Sequence, residues 1–186
     1  MEKTMKRATV LSLLAAAALW LLYLWLSGPV LLGLAIAAGT TAYHFAMRML
    51  VGTCYDRLLH NQVDHTARWF RVGPREMAFY RLIRIKRWKK YLPTYDPDAF
   101  SPQKHSWEEI AQATCQSELI HETIALLSFL PVAAAGWFGA FPVFFVSSVL
   151  SAAFDSLFVL LQRYNRSRIQ ALLKKQESKS VSTVGN

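Results

Sequence analysis

Apolar and polar residues are not interleaved along this chain; they come in blocks. One apolar run extends from about Ala8 to Leu26, and a second from Pro29 to Val51, with the turn signal Gly28-Pro29 between them. A third spans Glu118 to Phe138 and a fourth Phe141 to Leu161, and Gly136, Gly139 and Pro142 mark the turn that joins these two. Each run is close to the roughly 20 residues with which a helix crosses about 30 Å of hydrocarbon. A soluble helix keeps a wet face, so its polar positions recur every three or four residues. Blocks predict helices surrounded by lipid, with every backbone group satisfied inside the helix. The expected fold class is all-α: an integral membrane bundle of about four transmembrane helices with an interfacial, partly helical cytoplasmic loop. The division is 1–51, an N-terminal transmembrane hairpin; 52–116, a basic cytoplasmic or interfacial loop; 117–162, a C-terminal transmembrane hairpin; and 163–186, a basic cytoplasmic tail.

The first block has the flanks of a signal peptide, with Lys3, Lys6 and Arg7 ahead of it. Its apolar run is longer than a signal core, lacks a small-residue cleavage site and leads at once into another apolar block, so we read it as a retained helix.

Charge then fixes an expected orientation. All 21 Lys and Arg fall in the N-terminal tail, at Arg48, between Arg57 and Lys104, or between Arg163 and Lys179. The two short turns on the other side carry none. The positive-inside rule places both termini and the central loop in the cytoplasm of a multi-pass cell-membrane protein. The net charge of +9 follows from this topology and from attraction to anionic membrane lipids, so nucleic acid is not an expected partner. Cys54 and Cys115 fall on the reducing side, which argues against a structural disulfide. The chain shows no zinc spacing, phosphate-binding glycine loop or internal repeat. No metal and no bound cofactor are expected.

Two stretches of the central loop, Arg68-Trp-Phe-Arg71 and Arg84-Ile-Lys-Arg-Trp-Lys-Lys90, mix cations with aromatic and aliphatic residues. Such segments lie in the headgroup layer, with Trp69, Phe70 and Trp88 as interfacial anchors. The same cations suit the phosphates of an anionic donor. Ser106, followed by Glu108 and Glu109, reads as the start of a further helix.

Ionisable groups inside the apolar blocks are costly and need a reason. His44 and Arg48 share one helical face, as do Glu118, His121 and Glu122, and Asp155 sits among apolar residues of the fourth block. His44 lies about 10 Å, and Asp155 about 12 Å, from the cytoplasmic end of its run at 1.5 Å per residue. The spacing therefore brings these polar groups to one level in the cytoplasmic leaflet. A structural reading is mutual pairing that glues the bundle, as for Arg48 with Asp155 or Glu122. A functional reading is a histidine oriented by a carboxylate, His121 with Glu118, acting as general base. A metal site from His44, His121 and Glu118 has no supporting spacing. The soluble acyltransferase pattern H-x4-D is absent, since His60 and Asp64 are too close; His60, His65 and His105 are expected at the surface.

Ile85-Lys-Arg-Trp-Lys-Lys-Tyr-Leu-Pro93, Ser117-Glu-Leu-Ile-His121 and Gln162-Arg-Tyr-Asn-Arg-Ser-Arg-Ile169 together resemble the glycosyl-4,4'-diaponeurosporenoate acyltransferases of carotenoid synthesis, over about residues 79–173. The resemblance implies a small bacterial membrane enzyme that moves a fatty acyl group to a sugar hydroxyl of a glycosylated lipid. The matching positions include Glu118, His121, Trp88, Lys89, Arg163, Tyr164, Asn165, Arg166 and Arg168. Ala113, Gln116 and Glu122 stand where a member of the family carries Glu, Arg and Trp, which points to a different acceptor. Tyr43-His-Phe-Ala-Met-Arg48 has no counterpart in the resemblance.

The resulting expectation is a membrane acyltransferase using acyl-CoA or acyl carrier protein as co-substrate and a glycolipid or other hydroxylated lipid as acceptor. His121 and Glu118 are the expected catalytic pair. Arg48, Arg163, Arg166 and Lys89 are the expected groups for donor phosphates or the oxyanion. His44, Glu122, Asp155, Tyr164 and Asn165 complete the polar cluster. Two other readings stay open: a lipid-binding or membrane assembly protein, and a small proton-coupled transporter using Glu118, Glu122 or Asp155.

Overall fold

In a computed structural model, which describes residues 2–94 and 96–184, the chain is 82% helical and has no strand among the described residues. Four stretches are long and apolar enough to cross a membrane: Lys3–Leu26, Pro29–Leu59, Trp107–Phe138 and Phe141–Gln176. This is a multi-pass membrane protein. The side chain of Lys179, counted with the basic tail above, lies outside the described residues.

The helices outrun the apolar blocks. The first two are α1 (Glu2–Leu26) and α2 (Pro29–Leu59). Short helices α3 (Pro74–Leu82) and α4 (Ile85–Trp88) follow, then α5 (Trp107–Leu127), α6 (Leu130–Ala133), α7 (Ala135–Phe138) and the 44-residue α8 (Phe141–Val184). α5 starts well ahead of Glu118 because Ser106 and Glu109 cap each other. The Glu109 N–H donates to Ser106 Oγ at 3.2 Å, and the Ser106 N–H to Glu109 Oε2 at 2.8 Å. The third crossing is not one helix. Pro131, at the first turn of α6, cannot donate to the ladder, and the helix breaks ahead of it. Gly139 closes the turn before α8 at φ 68°, ψ −136°, a region only glycine enters without strain.

By contacts the chain forms two compact units, Met1–Cys54 with Glu122–Ser156, and Tyr55–His121 with Leu157–Asn186. The first unit turns its large apolar side chains outward: Leu11, Leu14, Leu21, Leu24, Leu126, Leu150 and Phe154 are all exposed. In water such a surface would be an aggregation hazard; in a bilayer it is the solvated face. Its interior is made of small and polar residues, among them Ala35, Thr40, Ala42, Ser128, Ser148 and Ser151. Small residues let helices approach closely where apolar burial gives no drive. Trp20 packs edge-on against Tyr23 and Phe138, with centroids 5.9 and 5.5 Å away.

The second unit has a core of Ile110, Ala111 and Ile169, flanked by Phe100, Trp107 and Leu173. Its loops are pinned by polar contacts. Gln116 Nε2 donates to Asp56 at 2.8 Å while its Oε1 accepts from the Asn61 N–H at 2.7 Å. Gln170 Nε2 donates to the His65 carbonyl at 3.0 Å. His60 and His105 are exposed and His65 is half-buried.

Candidate functional site

In the second unit, two arginines one turn apart on α8 meet two carboxylates from α3 and α5. Arg163 grips Glu76 with two nitrogens, at 2.5 and 3.2 Å, and donates from Nη1 to Glu118 Oε1 at 2.5 Å. Arg166 Nη1 donates to the other oxygen of Glu118. Other guanidinium hydrogens go to backbone. Arg166 Nε and Nη2 reach the Phe70 carbonyl at 3.1 and 2.9 Å. Arg163 reaches the Trp69 carbonyl at 3.1 Å and that of Arg71 at 3.2 Å. Glu118 and Arg166 have no accessible surface. Two cations and two anions cancel, and each charge is hydrogen-bonded, the condition under which buried ions are tolerated. The network clamps the Arg68–Phe70 turn onto α8.

Three consequences follow. Burial pushes the Glu76 carboxyl up, but the hydrogen bonds from Arg163 and Tyr80 and the Arg163 charge outweigh it and hold it below its ordinary value. Phe70 is not an interfacial anchor: its ring is buried under the Arg166 guanidinium, 4.9 Å from its centroid, whereas Trp69 is exposed. Glu118, read above as the partner that orients His121, gives its two oxygens to Arg163 and Arg166. The His121 ring stacks on Phe158, centroids 4.6 Å apart and planes 11° apart.

Lys89 and Tyr164 form a second group in this unit. Lys89 Nζ lies 5.8 Å over the Tyr164 ring and 3.3 Å from Asn165 Oδ1. Burial lowers the Lys89 pKa, and the like charges of Arg168 and Lys86 lower it further. Next to it, Lys86, Arg87, Trp88, Lys90 and Tyr91 line an open cleft of about 400 Å³. The charged side chains that line it among the described residues are all cations.

The first unit holds the other expected residues. Arg48 pairs with the buried carboxylate of Asp155 and donates to Ser151 Oγ at 2.8 Å and to the His44 carbonyl at 3.1 Å. Ser151 Oγ is 2.9 Å from Ser128 Oγ. The His44 side chain is buried, with Tyr43 beside it edge-on. Tyr43 OH donates to the Leu127 carbonyl at 2.8 Å. Glu122 also belongs to this unit. The polar groups expected at one level thus fall into two sets: His44, Arg48, Glu122 and Asp155 in the first unit, and Glu118 and His121 in the second.

The model of the glycosyl-4,4'-diaponeurosporenoate acyltransferases matches residues 66–175, more than half of the chain. The chain belongs to this family. No curated protein and no solved structure matches it. The matched stretch of this family member contains the whole Glu76–Arg163–Glu118–Arg166 network, His121 and the Lys89 group. At family level the activity is acyl transfer.

Spacing did not single out Glu76, Tyr80, Ser128, Ser148 or Ser151. Glu76 carried a signal: it is the one carboxylate between Asp64 and Asp96, in a run full of cations. A lone acid there needs a partner, and Tyr80, one turn on, hydrogen-bonds it as well. The serines carried none, since hydroxyls are ordinary in membrane helices.

Proposed function

We propose that this protein moves a fatty acyl group from a thioester donor to a hydroxyl of a glycolipid or related lipid at the cytoplasmic leaflet. The observation that carries the reading is the family match over the segment that contains His121, Lys89 and the ion-pair network. In this reading His121 takes the proton of the acceptor hydroxyl as the oxygen attacks the thioester carbonyl. The C–S bond breaks, and the thiol leaves with a proton. The stacked Phe158 ring fixes the plane of the imidazole. Glu118 serves as the anchor that locks α5 to α8 through two arginines rather than as a proton carrier. The phosphates of acyl-CoA or of an acyl carrier protein lie against Lys86, Lys89 and Lys90, where an anion relieves the crowding of like charges.

A positioned base contributes about 10²- to 10⁴-fold. The test uses protein purified into nanodiscs, labelled acyl-CoA and a bacterial lipid extract. His121→Ala is expected to lose transfer by about that factor while His105→Ala, at the surface, keeps it. Equal activity in the two variants removes His121 from the mechanism. Proton-driven efflux from vesicles without any acyl transfer would favour the transporter reading.

A further inference from the structure

The first unit contains an open cleft of about 300 Å³, lined by Trp20 of α1, Gly39 and Tyr43 of α2, Pro131 of α6, Phe138 of α7 and Phe144 of α8 among others. Two features of the sequence shape it. Pro131 interrupts the third crossing, so the short α6 and α7 stand along this wall in place of one straight helix. Gly39 leaves the space in front of Trp20 open: a Cβ there would meet Trp20 Nε1 at 3.4 Å. The hydroxyls of the wall are turned to the backbone. That of Thr40 donates to the Ile36 and Ala37 carbonyls, and that of Tyr43 to the Leu127 carbonyl. The surface left to an occupant is mainly carbon.

The depth of the cleft in the bilayer follows from its lining. Trp25 and Trp137 are exposed beside the two short turns, α1–α2 and α7–α8, the level at which tryptophan marks a membrane interface. The Trp20 and Phe138 rings meet edge-on with centroids 5.5 Å apart, which puts both turns at one end of the unit. At 1.5 Å per residue Phe144 lies about 5 Å below the start of α8, and Gly39 and Tyr43 about 15 and 21 Å below the start of α2. The lining thus runs from just under the interface to about the centre of the roughly 30 Å of hydrocarbon, the depth that the chains of one leaflet fill. We propose that this cleft binds one acyl chain of a bilayer lipid from the leaflet at the short-turn end. A chain already in hydrocarbon gives up no water contacts to enter, and it restores the dispersion contacts that an empty groove forfeits. A cleft of this size lies at the small end of ligand sites, suited to a single chain rather than a bulky lipid. The site belongs wholly to the first unit and does not depend on the acyl-transfer reading.

The test uses the full chain in phosphatidylglycerol nanodiscs doped with a phosphatidylglycerol that carries a photoreactive diazirine in one hexadecanoyl chain, with labelled residues mapped by mass spectrometry. Two probes are compared, one with the diazirine near the headgroup and one with it near the chain end. The first is expected to label Phe138 and Phe144, and the second Tyr43, although Phe144 is buried and bulk lipid barely reaches it. Gly39→Leu and Ala134→Phe fill the cleft from opposite walls. Each is expected to abolish labelling of Phe144 and Tyr43 while the outward-facing Leu150 is labelled as before, which shows that the variant is folded. The depth order is read on the native chain, so it decides even if both variants misfold. Labelling confined to exposed residues such as Leu126 and Leu150 overturns the proposal, and a reversed depth order overturns its choice of leaflet. Loss of cleft labelling on addition of hexadecanoyl-CoA would give the cleft to a substrate chain, and cross-links between two copies of the protein through Phe138 would give it to a second copy; either result overturns the assignment to a bilayer lipid.

Discussion

The two units use the same buried ingredients, arginine and carboxylate, in opposite ways. In the second, Glu76, Arg163, Glu118 and Arg166 pair with one another, and three backbone carbonyls accept further guanidinium hydrogens. In the first, Arg48 and Asp155 are joined by Ser151, but the His44 ring nitrogens and the Ser148 hydroxyl have no hydrogen-bond partner among the described residues. The four-residue network matches its charges internally, whereas the first unit buries two polar side chains without such a match. A buried charge is therefore no marker of function by itself; unmet hydrogen-bonding capacity asks for its own explanation.

The largest way to break that contrast is to remove one charge from each set. Glu118→Ala strands Arg166, which has no accessible surface, and should cost about 3–5 kcal/mol. Asp155→Ala strands Arg48, whose side chain is 15% exposed and long enough to swing toward headgroups, and should cost less, about 2–3 kcal/mol. Reversible unfolding in detergent micelles measures both. A larger loss for Asp155→Ala would show that the Arg48 pair, not the four-residue network, is the structural keystone.

The fold was legible because a bilayer writes its demand into composition: four blocks of lipid-facing side chains are visible without knowing a single contact. Helix ends were legible only in part: the Ser106 cap that starts α5 could be read, but α8 runs on past Leu161 in polar sequence where packing on Ile110 and Ala111 replaces lipid. The charged residues of the site could be picked out, because each is expensive in its context. Their pairing could not. Glu118 lies one turn from His121 in sequence, yet arginines forty-five and forty-eight residues away claim its oxygens. Spacing reports neighbours on one helix and says nothing of what another element brings, and Glu76 on α3 is such a case.

A smaller effect comes from acid. The Glu76 carboxyl titrates below its ordinary value, so it stabilises the fold above the unfolded carboxylate range, near 4, and that stability fades as pH falls through the folded value. Melting curves between pH 7 and pH 3 should drop more steeply for the native chain than for Glu76→Gln, which is weaker at neutral pH but flatter. Parallel curves would mean that the acid response comes from elsewhere, and the network's claim to be the structural half of the comparison would weaken.

The smallest effect has the sign that discriminates best. Removing a residue from a saturated set destabilises; removing an unmatched polar group should not. His44→Leu replaces a buried imidazole, unpartnered among the described residues, by an apolar side chain of similar size. The relief of desolvation, about 1–3 kcal/mol, exceeds the loss of packing around one ring only slightly, so a net gain of about 1 kcal/mol or less is expected. In unfolding experiments the variant should be as stable as the native chain or slightly more so. If His44→Leu instead loses several kcal/mol, His44 is part of the scaffold and the two units follow one rule.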